Sequence, residues 1–329
     1  MSGSRSKIFV LHENSVWVEP LTAAFLDLGL EFEEWFLNEG ALDLTSCPPL
    51  GVFYNRTSAS AHTRGHRYAP EYTGLVLDWL ESHGRTVING SRALHLELSK
   101  VSQYMALAKF GVRTPETFAV VVSPDRQSTA ERVMKVAASE FGDEPFILKP
   151  NRGGRGVGVQ LFQNSVAAYD YIVDGRSPTP LDGIWLVQRY VRTPDKCIIR
   201  SEFVGGEFLY AVTVDASKGF ELCPADACQV DEEVVGSRPM FEIIENFHHP
   251  VLDRYGACLA MNGIQIAGVE MLIDEDGEAW TYDINTNTNY NQEAEAACGY
   301  TGTSRAGMHA IAGYLGRQLD AHEELTNIA

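Results

Sequence analysis

Apolar positions along this chain switch between two spacings, and the order of the switches predicts an α/β protein. Residues 7–11 form a short apolar run that reads as a strand, 18–28 carry apolar positions at helical spacing and stop at Gly29, and 31–36 return to a two-residue period. A further buried strand is expected at 51–54. It runs into a polar loop at 55–70 that carries Asn55, Arg56, Ser58, His62, Arg64, His66 and Arg67. A helix at 72–83 stopped by Gly84 and a strand at 86–88 complete a small unit with a mostly parallel sheet. Loops at the carboxyl ends of such strands are where open α/β sheets bind ligands, so Arg56 and Ser58 become candidate substrate contacts.

Beyond this unit the pattern predicts a long helix at 97–110 ended by Gly111, a strand at 118–122 and an amphipathic helix at 128–141. The chain then turns strand-rich, with runs at 185–191, 198–203, 207–214, 266–273 and 278–284, and is helical from about residue 293. At 329 residues it exceeds what one core usually organises. No internal repeat or long Pro/Ser linker is present, so lobes joined by short hinges are expected, divided as 1–95, 96–190 and 191–329.

Composition narrows the function. Hydrophobic content of 45% is that of a folded protein, and the net charge of −18 argues against broad nucleic-acid binding, which needs a basic face. The same charge means that a polyanion site must be locally basic, as Lys149, Arg152 and Arg155 would make it. No run approaches the ~20 apolar residues of a membrane span, and the first residues lead directly into a strand, so a cytoplasmic protein with no membrane partner is expected. The six cysteines lack a paired C-x-x-C, which suits reduced thiols. Cys223 and Cys228, with His248 and His249 downstream, are too loosely spaced to read as a zinc site.

The strongest chemical signal is Phe146-Ile-Leu-Lys149-Pro-Asn-Arg152-Gly153-Gly154-Arg155-Gly156-Val-Gly158. Glycines that take positive φ bring backbone N–H groups close to anionic oxygens. After them Val157, Val159 and Leu161 alternate with Gly158, Gln160 and Phe162, which predicts a strand where a P-loop or a dinucleotide fold would open a helix. No Gly-Lys-Ser/Thr follows. The competing reading is a glycine-rich hairpin turn.

These segments resemble the ATP-grasp family, most closely its RimK-like glutamate-ligase branch, from about Val87 onward. Asn89-Gly-Ser-Arg-Ala ahead of Ser99-Lys100, Gly111-Val-Arg-Thr-Pro115, and Lys149 with its glycine loop look like the family's two phosphate-binding lysines and flexible lid. Leu186-Val-Gln188-Arg189-Tyr190-Val191 resembles the interlobe strand that reads adenine. Arg200, Gly268-Val-Glu270 and Tyr282-Asp283-Ile-Asn285 resemble the arginine and the magnesium-binding strands. The resemblance implies an ATP-grasp fold preceded by a small Rossmann-like domain. It implies ATP contacts at Lys100, Lys149, Gly153, Gly154, Arg155, Gly156, Gln188, Arg189, Tyr190, Val191 and, for the ribose, Asp195. It also implies catalytic roles for Arg200 and Asn285.

The metal can be argued from the residues themselves. Strand residues two apart face one side, so Asp283 and Asn285 present oxygens together and Glu270 on a neighbouring strand completes a site for Mg²⁺, with Mn²⁺ as the alternative ion. In place of the family's ending with Pro-Gly, this chain continues Asn285-Thr-Asn287-Thr-Asn289-Tyr-Asn291. Asn287 and Asn289 thus join Arg56 and Ser58 as substrate candidates, against the reading of a turn-rich loop. The 219–228 loop carries acid and thiol where a glutamate ligase is expected to carry basic and amide groups. That points to an amine or cationic group near Asp226 and Asp231. The expected activity is an ATP- and Mg²⁺-dependent carboxylate–amine ligase acting through an acyl-phosphate, on small-molecule carboxylate and amine substrates, in a homo-oligomer. A nucleotide-binding regulatory protein and ATP-dependent transfer to a non-amine acceptor are the alternatives.

Overall fold

The computed structural model describes residues 6–194, 197–216 and 240–328. Asp195, Asp226, Asp231 and the Cys223 and Cys228 pair fall outside the described residues.

The first sheet is parallel throughout, in the order β2-β1-β3-β4, from β1 (Lys7–His12), β2 (Phe32–Phe36), β3 (Gly51–Asn55) and β4 (Thr86–Ile88). Helices α1 (Ser15–Asp27) and α2 (Ala69–Ser82) connect its strands. Gly51 starts β3 at φ 147°, where a Cβ would collide with the Lys7 carbonyl of the neighbouring strand. The 55–70 loop runs through a 3₁₀ turn at Ala61–Arg64.

The single helix expected at 97–110 is two, α3 (Ser91–Glu97) and α4 (Lys100–Ala108). Ser99 is extended, and its hydroxyl accepts from the Ser102 N–H, capping α4. The break puts Lys100 on the first turn of α4. Ala93, Leu96, Tyr104 and Leu107 then pack with Phe203, Tyr255, Val269 and Ile284 of the C-terminal part.

The second sheet is antiparallel, order β5-β8-β6-β7, from β5 (Thr117–Val121), β6 (Phe146–Pro150), β7 (Gln160–Phe162) and β8 (Ile184–Arg189). Helices α5 (Arg126–Glu140) and α6 (Ser165–Val173) pack on it over Phe146, Leu148, Trp185 and Val187. The strand expected from Val157 begins only at Gln160. Two left-handed glycines, Gly156 and Gly158, interrupt pairing before it. The sequence pattern missed α6, which is capped by the Asn164 side chain on the Ala167 N–H.

The third sheet is also antiparallel, order β11-β10-β9-β12-β13, from β9 (Cys197–Val204), β10 (Glu207–Asp215), β11 (Phe241–Ile244), β12 (Ile266–Ile273) and β13 (Ala279–Asn285). Helix α7 (Val251–Met261) and strand β11 were not expected, although Val251, Tyr255, Cys258 and Leu259 carry α7's buried face at helical spacing. Helices α8 (Gln292–Ala297) and α9 (Gly307–Ile328) end the chain. α9 returns to the first sheet, with Ile311 and Leu315 in one core with Val10 and Val52. Asn89, held at φ 55°, ties the same parts together through its carboxamide. Its oxygen accepts from the N–H groups of Gln265 and Ile266, and its nitrogen donates to the carbonyls of Ile266 and Thr286. No helix among the described residues is long and apolar enough to cross a membrane.

Candidate active site

One cleft of about 360 Å³ collects residues from the second and third sheets and from α1 and the 55–70 loop of the first unit. Ile147, Leu161, Val191 and Leu272 are apolar parts of its lining, together with residues 188–190 where β8 leaves the sheet. Arg189 itself turns outward to Glu116 at 2.7 Å, and Gln188 turns inward, donating to the hydroxyls of Tyr104 at 2.9 Å and Thr117 at 2.7 Å. Tyr190 and Val191 line the cleft.

Two lysines line it. Lys100, on the first turn of α4, places Nζ 2.8 and 2.9 Å from the two Asp283 oxygens. Lys149, buried in β6, donates to the Tyr104 hydroxyl at 2.8 Å. Burial first, then the charge of Lys100, pushes the Lys149 ammonium down to about 7 against the opposing pull of Asp283 and Glu270. A bound polyanion favours the ammonium. Nucleotide binding above pH 7 is therefore expected to take up about one proton, with affinity falling as pH rises from 7 to 9 and flat below 7. Calorimetric titration with ADP at pH 8, in two buffers of different ionisation enthalpy, checks this; zero uptake would remove the assignment.

β12 and β13 pair with Glu270 opposite Asp283. Asn285, two residues on, donates its amide nitrogen to Glu270 Oε1 at 3.1 Å. Burial, above all, raises the Glu270 carboxyl, with Asp283 adding to it and Arg200 opposing. Two carboxylates and one carboxamide fit Mg²⁺, an oxygen-seeking ion that fills the rest of its shell with phosphate and water. Among the described residues no cluster of three or more His, Cys, Asp or Glu side chains forms a closed protein cage.

Arg200, on β9, is buried between these groups. Nε donates to Glu202 Oε1 at 2.6 Å, Nη1 to Glu270 Oε1 at 3.2 Å, and Nη2 to the Thr288 hydroxyl at 2.6 Å. Burial acts to lower its pKa, but Glu202 and Glu270 hold it above its ordinary range. Three of its five N–H groups are used in these bonds, which leaves two further donors on a side chain that lines the cleft. A Cβ at Gly268 would come within 2.5 Å of Arg200 Nε, so the glycine makes room for the guanidinium.

The loop at 151–159 covers the cleft. Arg155, Gly156 and Gly158 have positive φ, whereas Gly153 and Gly154 do not, contrary to the expectation for all four glycines. Gly154 instead serves close approach, since a Cβ there would be 3.3 Å from the Ser60 Cβ. Arg152 does not join the expected basic patch; it forms an ion pair with Glu71 of α2. Asn151 anchors the start of the loop by accepting from the Val101 N–H at 2.9 Å.

The first unit supplies Trp17, Ser58 and Ser60 to the cleft, and the segment after β13 supplies Asn287 and Asn289. Arg56 lies behind that segment, fully buried. Asn291 caps α8 through the Ala294 N–H, so the asparagine run is divided between site and helix cap. Pattern reading missed Glu97. Its carboxylate takes the Ala59 N–H at 3.2 Å and the Thr286 N–H at 2.7 Å, joining the 55–70 loop to the segment that follows β13. It also missed Tyr104, Glu202 and Thr288, which carry no local motif.

No family model matches the sequence. Over 148 residues, 45% of this chain, the sequence is 30% identical to the ribosomal protein bS6–L-glutamate ligase of Shigella boydii serotype 4 (strain Sb227). The match spans 46% of that relative, so the chain covers about half the length of the curated relatives it resembles. Two solved structures are similar over nearly the whole chain. D-cycloserine synthetase DcsG has TM-score 0.62 and 18% identity, covering 95% of this chain and 99% of that one. The ATP-grasp ligase PsnB, solved with minimal precursor, Mg and ADP, has TM-score 0.65 and 15% identity, covering 97% and 99%.

Proposed function

Because the chain has the ATP-grasp fold, we propose that it is an ADP-forming ligase that joins a carboxylate to an amine through an acyl-phosphate, using ATP and Mg²⁺ or Mn²⁺. The observation that carries this reading is the convergence of Lys100, Lys149, Arg200, Glu270, Asp283 and Asn285 on one cleft beneath the glycine loop.

In this reading the base lies against Ile147, Leu161 and Leu272, and the phosphates meet Lys100, Lys149 and the N–H groups of the loop. Glu270, Asp283 and Asn285 would hold the metal, which when bound would supply positive charge to the phosphoryl oxygens. The remaining N–H groups of Arg200 would offset charge on the phosphoryl group as a substrate carboxylate attacks it. The covering loop limits water, which would otherwise hydrolyse the acyl-phosphate. An amine then attacks the acyl carbon and phosphate leaves, so no protein nucleophile is required. Glu97 and Asn151 act as positioning residues for the two loops. A cytoplasmic setting and a homo-oligomer belong to the same reading, as expectations from composition and from the family resemblance.

The test incubates the protein with ATP, Mg²⁺ and pooled amino acids or small peptides, and follows ADP together with a product mass gain equal to condensation. Stimulated ADP formation that disappears with EDTA, and whose Mg²⁺ half-saturation rises at least about tenfold in Asp283→Ala/Asn285→Ala, is expected. Nucleotide binding without stimulated ADP formation across broad pools would favour a regulatory protein.

A further inference from the structure

Arg56 is buried at 2% exposure, and among the described residues its guanidinium meets only neutral groups. Nε donates to Asn287 Oδ1 at 3.2 Å, Nη2 to Asn289 Oδ1 at 2.8 Å and to the Thr288 carbonyl at 3.1 Å, and Nη1 approaches Met308 Sδ at 3.5 Å. Of the other basic groups nearby, Lys100 is compensated by Asp283, Arg200 by Glu202 and Glu270, Arg64 by Glu13, and Arg152 by Glu71, whereas Lys149 shares with Arg56 the absence of an ion pair among the described residues. Among the described residues no carboxylate forms an ion pair with Arg56. A buried cation with no counter-charge is unusual unless an anion arrives with the ligand.

The donor inventory gives this charge a direction. A guanidinium only donates, so both carboxamides must turn their oxygens to Arg56 and their NH₂ groups away from it. Asn287 and Asn289 both line the cleft, and neither Nδ2 donates to another described residue. The neighbouring hydroxyls add a third donor. Ser60 Oγ accepts from Arg64 Nη1 at 3.1 Å, Ser58 Oγ accepts from the Ser60 N–H at 3.1 Å, and the two hydroxyls are 2.8 Å apart. Whichever serine donates to the other, one hydroxyl hydrogen is left over at the cleft wall. The site therefore offers donors, with a buried positive charge behind them.

We propose that Asn287, Asn289 and the Ser58–Ser60 pair form an anion subsite that holds a substrate carboxylate which is not consumed, such as the α-carboxylate of an amino acid or the terminal carboxylate of a peptide. This rests on the ligase reading above and narrows it. The reacting carboxylate belongs beside Arg200 and the metal-binding strands, and a second carboxylate persists in the product. The asparagine run that replaces the family's Pro-Gly is thus a recognition element, with Arg56 as its positioning residue.

Thermal unfolding of the full chain with ADP and Mg²⁺ tests the site, using free amino acids and dipeptides as separate pools against the same compounds as carboxamides. The expected result is stabilisation by one free-acid pool, which identifies the source, with at least tenfold weaker apparent affinity for its carboxamides. Asn289→Asp keeps an oxygen for Arg56 and replaces the outward donor with a repelling oxygen. It should retain the melting temperature and ADP binding while losing the free-acid response at least tenfold. Equal responses to acids and amides, no response to either, or an undiminished response in Asn289→Asp would overturn the inference. ADP formation is read in parallel. Acid-dependent stabilisation without ADP formation would sink the ligase reading and leave the subsite, whereas ADP formation stimulated equally by acids and amides would do the reverse.

Discussion

Replacing Arg200 by methionine is expected to cost about 3–5 kcal/mol of stability at pH 7 and to lower substrate-stimulated ADP formation by about 10²–10³-fold. The stability loss comes from what remains behind. Glu202 is 2% exposed, and its two oxygens are taken by Arg200 and by the Thr288 hydroxyl. Burial already raises its carboxyl, with Arg200 the strongest opposing influence. Without the guanidinium the carboxylate is a buried charge with one neutral partner, so it protonates more readily than in the unfolded chain. The sign follows: the unfolded state then holds fewer protons, and the variant's deficit grows as pH rises through the carboxyl range and shrinks on acidification. Arg200→Met/Glu202→Gln should recover most of the stability and none of the turnover, because glutamine carries no charge and can still accept from Thr288. Thermal melts at pH 5 and 7 with ADP release read both halves. A single variant as stable and active as wild type would make Arg200 an ordinary surface charge. A double variant no more stable than the single would remove Glu202 as the source of the loss.

The same pair marks the boundary of what the sequence reveals. Lys149 ahead of four glycines, and Asp283 two residues before Asn285, are legible because local spacing fixes which way side chains face. Which strands are neighbours is not local. β9 sits between β10 and β12, so Arg200 meets Glu270 across the sheet and Glu202 reaches the segment after β13. No window of sequence contains that fact. Arg56 and Asn287 are 231 residues apart, and their contact depends on α9 and the Asn89 tie closing the first unit onto the third sheet. Asn287 and Asn289 could be singled out as polar, but not as donors, since only the arginine behind them decides how the amides turn. The boundaries that failed are also local: Gly156 and Gly158 delayed β7, and the Ser99 cap split the long helix, two signals present in the sequence but outweighed by the apolar period around them.

Lys149→Met should separate stability from function in the opposite way to Arg200→Met. Lys149 is 4% exposed, and among the described residues its ammonium makes one hydrogen bond, to Tyr104, with the rings of Tyr104 and Tyr282 at 5.5 and 5.6 Å. Burial depresses its folded pKa to about 7, well below the ordinary lysine range, so between the two the unfolded chain binds more protons and stability rises with pH. Below pH 7 the cost of keeping the charge is fully present. Methionine fills a similar volume without that charge, and the Tyr104 hydroxyl keeps its donor Gln188 and its acceptor, the Tyr282 carbonyl. The variant is therefore expected to melt at or above the wild-type temperature at pH 7, with the advantage fading toward pH 10. Its chemistry should suffer. One or two charge-assisted hydrogen bonds to nucleotide phosphates contribute about 1.5–3 kcal/mol each, which predicts roughly 10–10⁴-fold weaker ATP-dependent turnover and loss of the proton uptake on ADP binding. Calorimetric titration and melts across pH 6–10 measure all three. A variant that is strongly destabilised at pH 7 would assign Lys149 to the core of the lobe, and one that still takes up a proton with ADP would assign that titration to another group.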